Sequence, residues 1–165
     1  SVQGRSRKLA CSGWGARLSG TVFLRRGANQ SAQAIADLRK RMAHNRSVLI
    51  FAEGTTTIGP MPRRFFARLF AAAIDTETDI LPIAIRYPDP YDPMRTNPSV
   101  PYVDDQSLLE RLWALMQEPV TPVEIYIGQP PKSVGRDRRG LSRETHNRVS
   151  KLISMAQTKQ KDLTC

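Results

Sequence analysis

The side chains best equipped for chemistry lie in Phe51-Ala52-Glu53-Gly54-Thr55-Thr56-Thr57, at the end of an apolar run over residues 47–52. A carboxylate placed there needs a hydrogen-bond donor or a cation if it is even partly buried. Gly54 lets the backbone turn sharply or approach a ligand closely. The three threonines add hydroxyls and backbone N–H groups, a set suited to an oxygen-rich ligand. The plainer reading is a polar turn with a capping threonine. A second group ends Gly20-Thr21-Val22-Phe23-Leu24-Arg25-Arg26-Gly27. Arginine suits bidentate binding of phosphate or carboxylate, and a solvated strand edge is the alternative. The third is Pro82 within Ile80-Leu81-Pro82-Ile83-Ala84-Ile85-Arg86. Proline removes a ladder donor, so a strand either begins there or bulges there and shapes a pocket wall.

The two histidines, His44 and His146, read as surface residues; the fifth residue after each is Leu49 and Lys151, so neither forms a His-x4-Asp pair. Cys11 and Cys165 stand near opposite ends, without the spacing of a disulfide framework or a metal site. A reducing setting and no metal are expected.

The elements that must position these groups alternate between helix and strand. A short β-favouring run covers 21–25. A helical pattern over 31–43 puts Ile35, Leu38 and Met42 on one face. Residues 47–52 (SVLIFA) and 80–87 are continuous apolar runs, which predict strands covered on both faces. Residues 63–74 predict a helix with a Phe65, Phe66, Leu69, Phe70, Ala73 and Ile74 stripe. Residues 88–104, rich in Pro, Asp and Asn, predict a long loop. A helix over 107–117 with Leu108, Leu109, Leu112, Trp113 and Met116 inward, a strand over 123–127, and a helix over 142–157 follow. The order predicts an α/β layered domain over 1–165, a mostly parallel sheet flanked by helices.

Charge narrows the partners. The 165-residue chain carries a formal charge of +10. Residues 1–26 hold six basic and no acidic side chains, residues 132–161 nine basic and two acidic, and residues 27–131 ten basic and twelve acidic. A balanced middle between basic ends points to an anionic partner, nucleic acid or lipid surface, or simply to a basic soluble surface. Aromatics, 7% of the chain, do not interleave with the basic residues, which counts against nucleic acid. No apolar run reaches the ~18 residues of a membrane-spanning helix.

Together, the three segments and their order resemble the glycerophospholipid acyltransferase family. That family shows a Gly-x-x-Phe-x-x-Arg block, a helix, a strand ending in Phe-Pro-Glu-Gly-Thr, and an apolar block with a central proline. The matching residues are Gly20 to Arg26, Phe51 to Thr55, and Leu81-Pro82-Ile83, with Gly13-Trp14 as the preceding segment. The resemblance covers nearly the whole chain and is strongest in the second block.

The resemblance implies transfer of an acyl group from acyl-CoA or acyl carrier protein to a lysolipid hydroxyl, such as that of 1-acyl-glycerol-3-phosphate, without a cofactor. It assigns acceptor binding to Arg26, Glu53, Gly54, Thr55 and Thr56, with Phe23, Pro82 and Arg63 as pocket candidates. The family's proton-transferring His-x4-Asp pair precedes its Gly-Trp segment, so it is expected upstream of Ser1 and the fragment is expected to be inactive alone. Ala52 replaces the usual proline. Thr56 stands where many members carry Arg, so Arg63 and Arg64 supply charge instead, or the acceptor lacks a phosphate, as a lyso-ornithine lipid does. Membrane association at the cytoplasmic face of the inner membrane is implied. The rival classes are a basic nucleic-acid-binding domain and a non-catalytic lipid-binding domain.

Overall fold

The structure, a computed structural model, describes residues 28–53, 61–101 and 108–164. Helix α1, Ala28–Ala43, is amphipathic as its spacing requires: Ala34 and Leu38 are buried, and Ile35 and Met42 pack beside them. It ends in a Schellman motif. The Arg46 N–H reaches the Arg41 carbonyl (3.1 Å), the Asn45 N–H reaches that of Met42 (2.9 Å), and Asn45 takes φ 53°.

Residues 47–52 differ from the doubly buried strand expected of a continuous apolar run. They belong to no ladder among the described residues, and their exposure alternates. Val48, Ile50 and Ala52 pack on the core, whereas Leu49 and Phe51 are 67% and 73% exposed. The helix expected over 63–74 is shortened. It begins as a 3-10 turn, Ala67–Leu69, and continues as α2, Phe70–Asp75. The chain before it is committed elsewhere: the Phe66 N–H bonds the Ala52 carbonyl (3.0 Å), and Phe66 has the extended angles φ −74°, ψ 101°. Phe66 is therefore exposed, while Leu69, Phe70 and Ala73 are buried.

Among the described residues the sheet is a two-stranded antiparallel ladder, β1 (Ile83–Arg86) with β2 (Glu124–Ile127), in the register Ile83↔Ile127 through Arg86↔Glu124. The mostly parallel sheet is thus not what these residues form. Alternation of helices and strands reports which residues are covered, and a connection as long as the one from β1 to β2 can return the chain in either direction. Pro82 sits just before β1. Its carbonyl accepts the Gly128 N–H (2.9 Å), so the ladder extends past the residue that lacks a donor. The connection holds α3, Leu108–Gln117, and a Pro-rich loop that is tied down at several points. Asn97, 2% exposed, receives the Ser99 N–H on Oδ1 and donates Nδ2 to Glu118 Oε2 (2.9 Å). Hydrogen bonds to that carboxyl, from the Ser99 side chain first and then from the Asn97 side chain, hold Glu118 below its usual range. Arg86 bonds Glu124 (3.0 Å) and the Pro93 carbonyl, joining the loop to both strands.

Helix α4, Arg138–Thr164, packs across both strands and against α2. Asp137 caps it: Oδ1 accepts the N–H groups of Arg139 (2.8 Å) and Gly140 (2.9 Å). Those two bonds, Gly140 first, hold the Asp137 carboxyl below its ordinary 3.8. Its folded-state value is depressed, so the cap stabilises the fold above 3.8 and is lost as pH falls through the lower folded value. Leu141, Thr145, Val149 and Ala156 recur at helical spacing as the buried face of α4. At Gly128 the helix comes so close that a Cβ would lie 3.1 Å from Leu152 Cδ1.

The core joins Leu38 of α1, Leu69, Phe70 and Ala72 around α2, and Leu141 of α4. Among the described residues, Leu141, 0% exposed, is the one contribution from α4 to this cluster. Leu141→Ala is expected to cost about 2–5 kcal/mol by combining lost transfer energy with an unfilled cavity. Chemical denaturation followed by circular dichroism measures it, and a cost below ~1 kcal/mol would mean that α4 is not integral to the core.

Candidate functional site

The apolar face of residues 48–52 delivers Glu53 to the rim of the core, where the chain leaves for the segment 54–60. Glu53 is half-buried, and its Oε2 accepts the backbone N–H of Arg63 (2.9 Å). The donor that a carboxylate in this position needs is therefore a main-chain group, not an arginine side chain. One residue earlier, the Ala52 carbonyl accepts the Phe66 N–H (3.0 Å). These two bonds bring 52–53 and 63–66 together and close the neck of the intervening segment.

Helix α4 holds the far side of that neck. Ser142 Oγ donates to the Phe65 carbonyl (3.4 Å), and His146, one turn on, places Nε2 3.2 Å from the Pro62 carbonyl. A carbonyl only accepts, so Nε2 carries the proton. The imidazole also stands edge-on to Phe65, ring centroids 5.1 Å apart at 82°. Phe65 in turn stacks on Phe70 of the core, 6.4 Å between centroids. His146 is therefore not the surface residue expected. His44 is: it is exposed, and its Nδ1 donates to the Lys40 carbonyl (2.7 Å) at the end of α1. His146 follows buried Leu141, Ser142 and Thr145 and precedes buried Val149, which puts it on the edge of the covered face of α4.

Of the nominated residues, Glu53 and Arg63 meet, through the Arg63 backbone; the Arg63 and Arg64 side chains are exposed. Pro82 is fully buried at the start of β1 against Gly128. Phe23, Arg26, Gly54, Thr55 and Thr56 lie outside the described residues. The arrangement can present an anchored carboxylate just before the segment 54–60, with the exposed side chains of Arg63 and Arg64 following in the chain.

The basic character of α4 is partly used internally. Glu144 pairs with Arg148 (2.6 Å) and with Arg136, and the Arg148 bond, followed by the Arg136 charge, keeps its carboxyl below the usual range. Further along, Lys151, Met155 and Lys159 line a shallow groove on one exposed stripe of the helix.

The Arg63 amide is expected to exchange its hydrogen more slowly than that of Arg64. Glu53→Ala should speed exchange at Arg63 selectively, by about five- to tenfold for one hydrogen bond of ~1 kcal/mol. Amide hydrogen exchange resolved by NMR reads this out, and equal rates in the two proteins would mean that the neck is open in solution.

Comparison with known proteins places these residues in context. Residues 3–86 match the family model described as Acyltransferase. A lyso-ornithine lipid O-acyltransferase of Pseudomonas aeruginosa is 35% identical over 143 residues, 87% of this chain and 54% of the relative. One of Brucella abortus is 28% identical over 151 residues, 84% of this chain and 57% of the relative. One of Rhodobacter capsulatus is 34% identical over 82 residues, 47% of this chain and 30% of the relative. The chain thus spans about half the length of the first two relatives. No solved structure matches.

Proposed function

The chain belongs to the Acyltransferase family, and from that premise we propose that the whole protein transfers an acyl group from a thioester to the hydroxyl of a lysolipid, a lyso-ornithine lipid in first place. The observation that supports the reading is the similarity to three lyso-ornithine lipid O-acyltransferases, two of them along most of this chain. In that reaction the acceptor oxygen forms a bond to the acyl carbonyl carbon and the carbon–sulfur bond breaks. A base takes the hydroxyl proton, which ends on the departing thiol. Neither His44 nor His146 has an Asp five residues on, so the base is assigned to a part of the protein outside residues 1–165. The thioester is that of acyl-CoA or acyl carrier protein.

The residues of this chain hold the acceptor. Ornithine carries an amine and a carboxylate where a phosphatidic acceptor carries a phosphate. A carboxylate at Glu53 suits the amine, an arginine at position 26 suits the carboxylate, and the hydroxyls of Thr55 and Thr56 replace the additional positive charge that a phosphate would call for. Gly54 allows the backbone to approach the head group. The anchored Oε2 of Glu53 fixes the direction of the charge, a preorganisation that lowers the cost of binding.

Lysolipids reside in a bilayer, so the enzyme works at its surface. No helix among the described residues is long and apolar enough to cross a membrane. The exposed Lys151, Met155 and Lys159 stripe, with the basic segment 1–26, supplies cations worth roughly 1 kcal/mol each near an anionic leaflet.

Two outcomes follow. In the full-length protein, Glu53→Ala and Arg26→Ala should each lower acylation of lyso-ornithine lipid by at least about tenfold while circular dichroism is unchanged, the loss expected for one charge-assisted contact. Wild-type turnover by both variants would remove these residues from the site. The protein should also co-sediment with vesicles containing anionic lipid, and less so as salt rises. Binding to mixed-sequence DNA without vesicle binding would favour the nucleic-acid alternative.

A further inference from the structure

One peptide group ties α4 to the Glu53 carboxylate. The carbonyl of Pro62 and the N–H of Arg63 belong to the same amide, which is planar, rigid and has its two polar ends pointing in opposite directions. Its oxygen accepts a hydrogen bond from His146 Nε2 (3.2 Å), and its N–H donates to Glu53 Oε2 (2.9 Å). The order is imidazole, peptide, carboxylate. A hydrogen bond at one end of an amide polarises the group and strengthens the bond at the other. The plane also transmits direction: if the oxygen end swings, the N–H swings with it and Glu53 loses its anchor.

The neighbouring bonds make this a held position. Ser142 Oγ reaches the Phe65 carbonyl from the preceding turn of α4, and the Phe66 N–H is fixed by Ala52. The His146 ring packs edge-on to Phe65, so the imidazole makes an apolar contact with one part of the ring and a polar contact with another. The two contacts are separable by mutation.

We propose that His146 is a positioning residue for acceptor binding, acting on Glu53 through the Pro62–Arg63 peptide. It does not touch the substrate and takes no proton in the reaction. This rests on the reading of Glu53 as a head-group ligand. His146 and Ser142 lie outside the residues 3–86 that match the family model, so the device belongs to the C-terminal helix of this chain.

The test uses the full-length enzyme with lyso-ornithine lipid as acceptor. His146→Phe keeps the ring against Phe65 and removes the donor. His146→Gln supplies an amide donor without the ring. His146→Phe is expected to raise the acceptor KM by about five- to tenfold for loss of one hydrogen bond, with the KM for the acyl donor unchanged and the melting temperature within about 2 °C of wild type. His146→Gln should recover most of the acceptor KM. In a Glu53→Gln background, His146→Phe should add little, because the carboxylate it positions is gone. A merely structural histidine predicts the reverse: a lower melting temperature, both KM values moving together, no recovery by glutamine, and equal effects in the two backgrounds. That result overturns the proposal. If Glu53→Ala is itself without effect on the acceptor KM, the head-group reading fails. If Glu53→Ala weakens the acceptor and His146→Phe does not, only the role of His146 fails.

Discussion

The contact on which the candidate site depends joins a side chain to a backbone N–H ten residues further along. Glu53 could not be left at the edge of an apolar core without a donor, since a partly desolvated carboxylate needs one. The Arg63 amide provides it. Because the donor is main chain, the position of the carboxylate is set by the path of residues 62–66, and that path is set in turn by Ala52, Ser142 and His146. The shortened helix around α2 follows from the same commitment: an N–H used at Phe66 to reach Ala52 is unavailable to start a helix at 63.

Around this neck the protein places a core with two kinds of covering. Helix α4 lies over one face of the β1–β2 ladder, with Ala84 and Arg86 buried. The other face carries Ile85, Ile125 and Ile127, the last two 60% and 64% exposed, beside Leu81 and Val123, also exposed. A strand pair needs cover on its apolar face to be stable alone, and the described residues give it cover on one side. The exposed Leu49 and Phe51 are a second uncovered row. The apolar runs at 47–52 and 80–87 are written for burial on both faces, and the described residues satisfy half of that.

Much of this was legible from the residues. The amphipathic spacing of Ile35, Leu38 and Met42 located α1, and that of Val149, Leu152, Ile153 and Ala156 located α4. Glu53-Gly54-Thr55 marked the candidate segment, and the three-block order marked the family that the comparison then showed. Strand direction and the place of His146 were not legible. Strand direction is a tertiary property, so an alternating sequence read as a parallel sheet while the described ladder is antiparallel. The place of His146 depended on where α4 docks. Its own helix carries Arg138, Arg139, Arg143 and Arg148, and that basic surrounding concealed a ring packed on Phe65.

The peptide between Pro62 and Arg63 has an evolutionary corollary. Its two hydrogen bonds are made by backbone atoms, so the side chain at 63 can change, proline excepted, and leave the N–H in place. Drift at 62 is equally silent, because any residue offers a carbonyl. A search for invariant letters would therefore pass over this junction, and selection on it would register only at the two ends, as a carboxylate on one element and a proton donor on another.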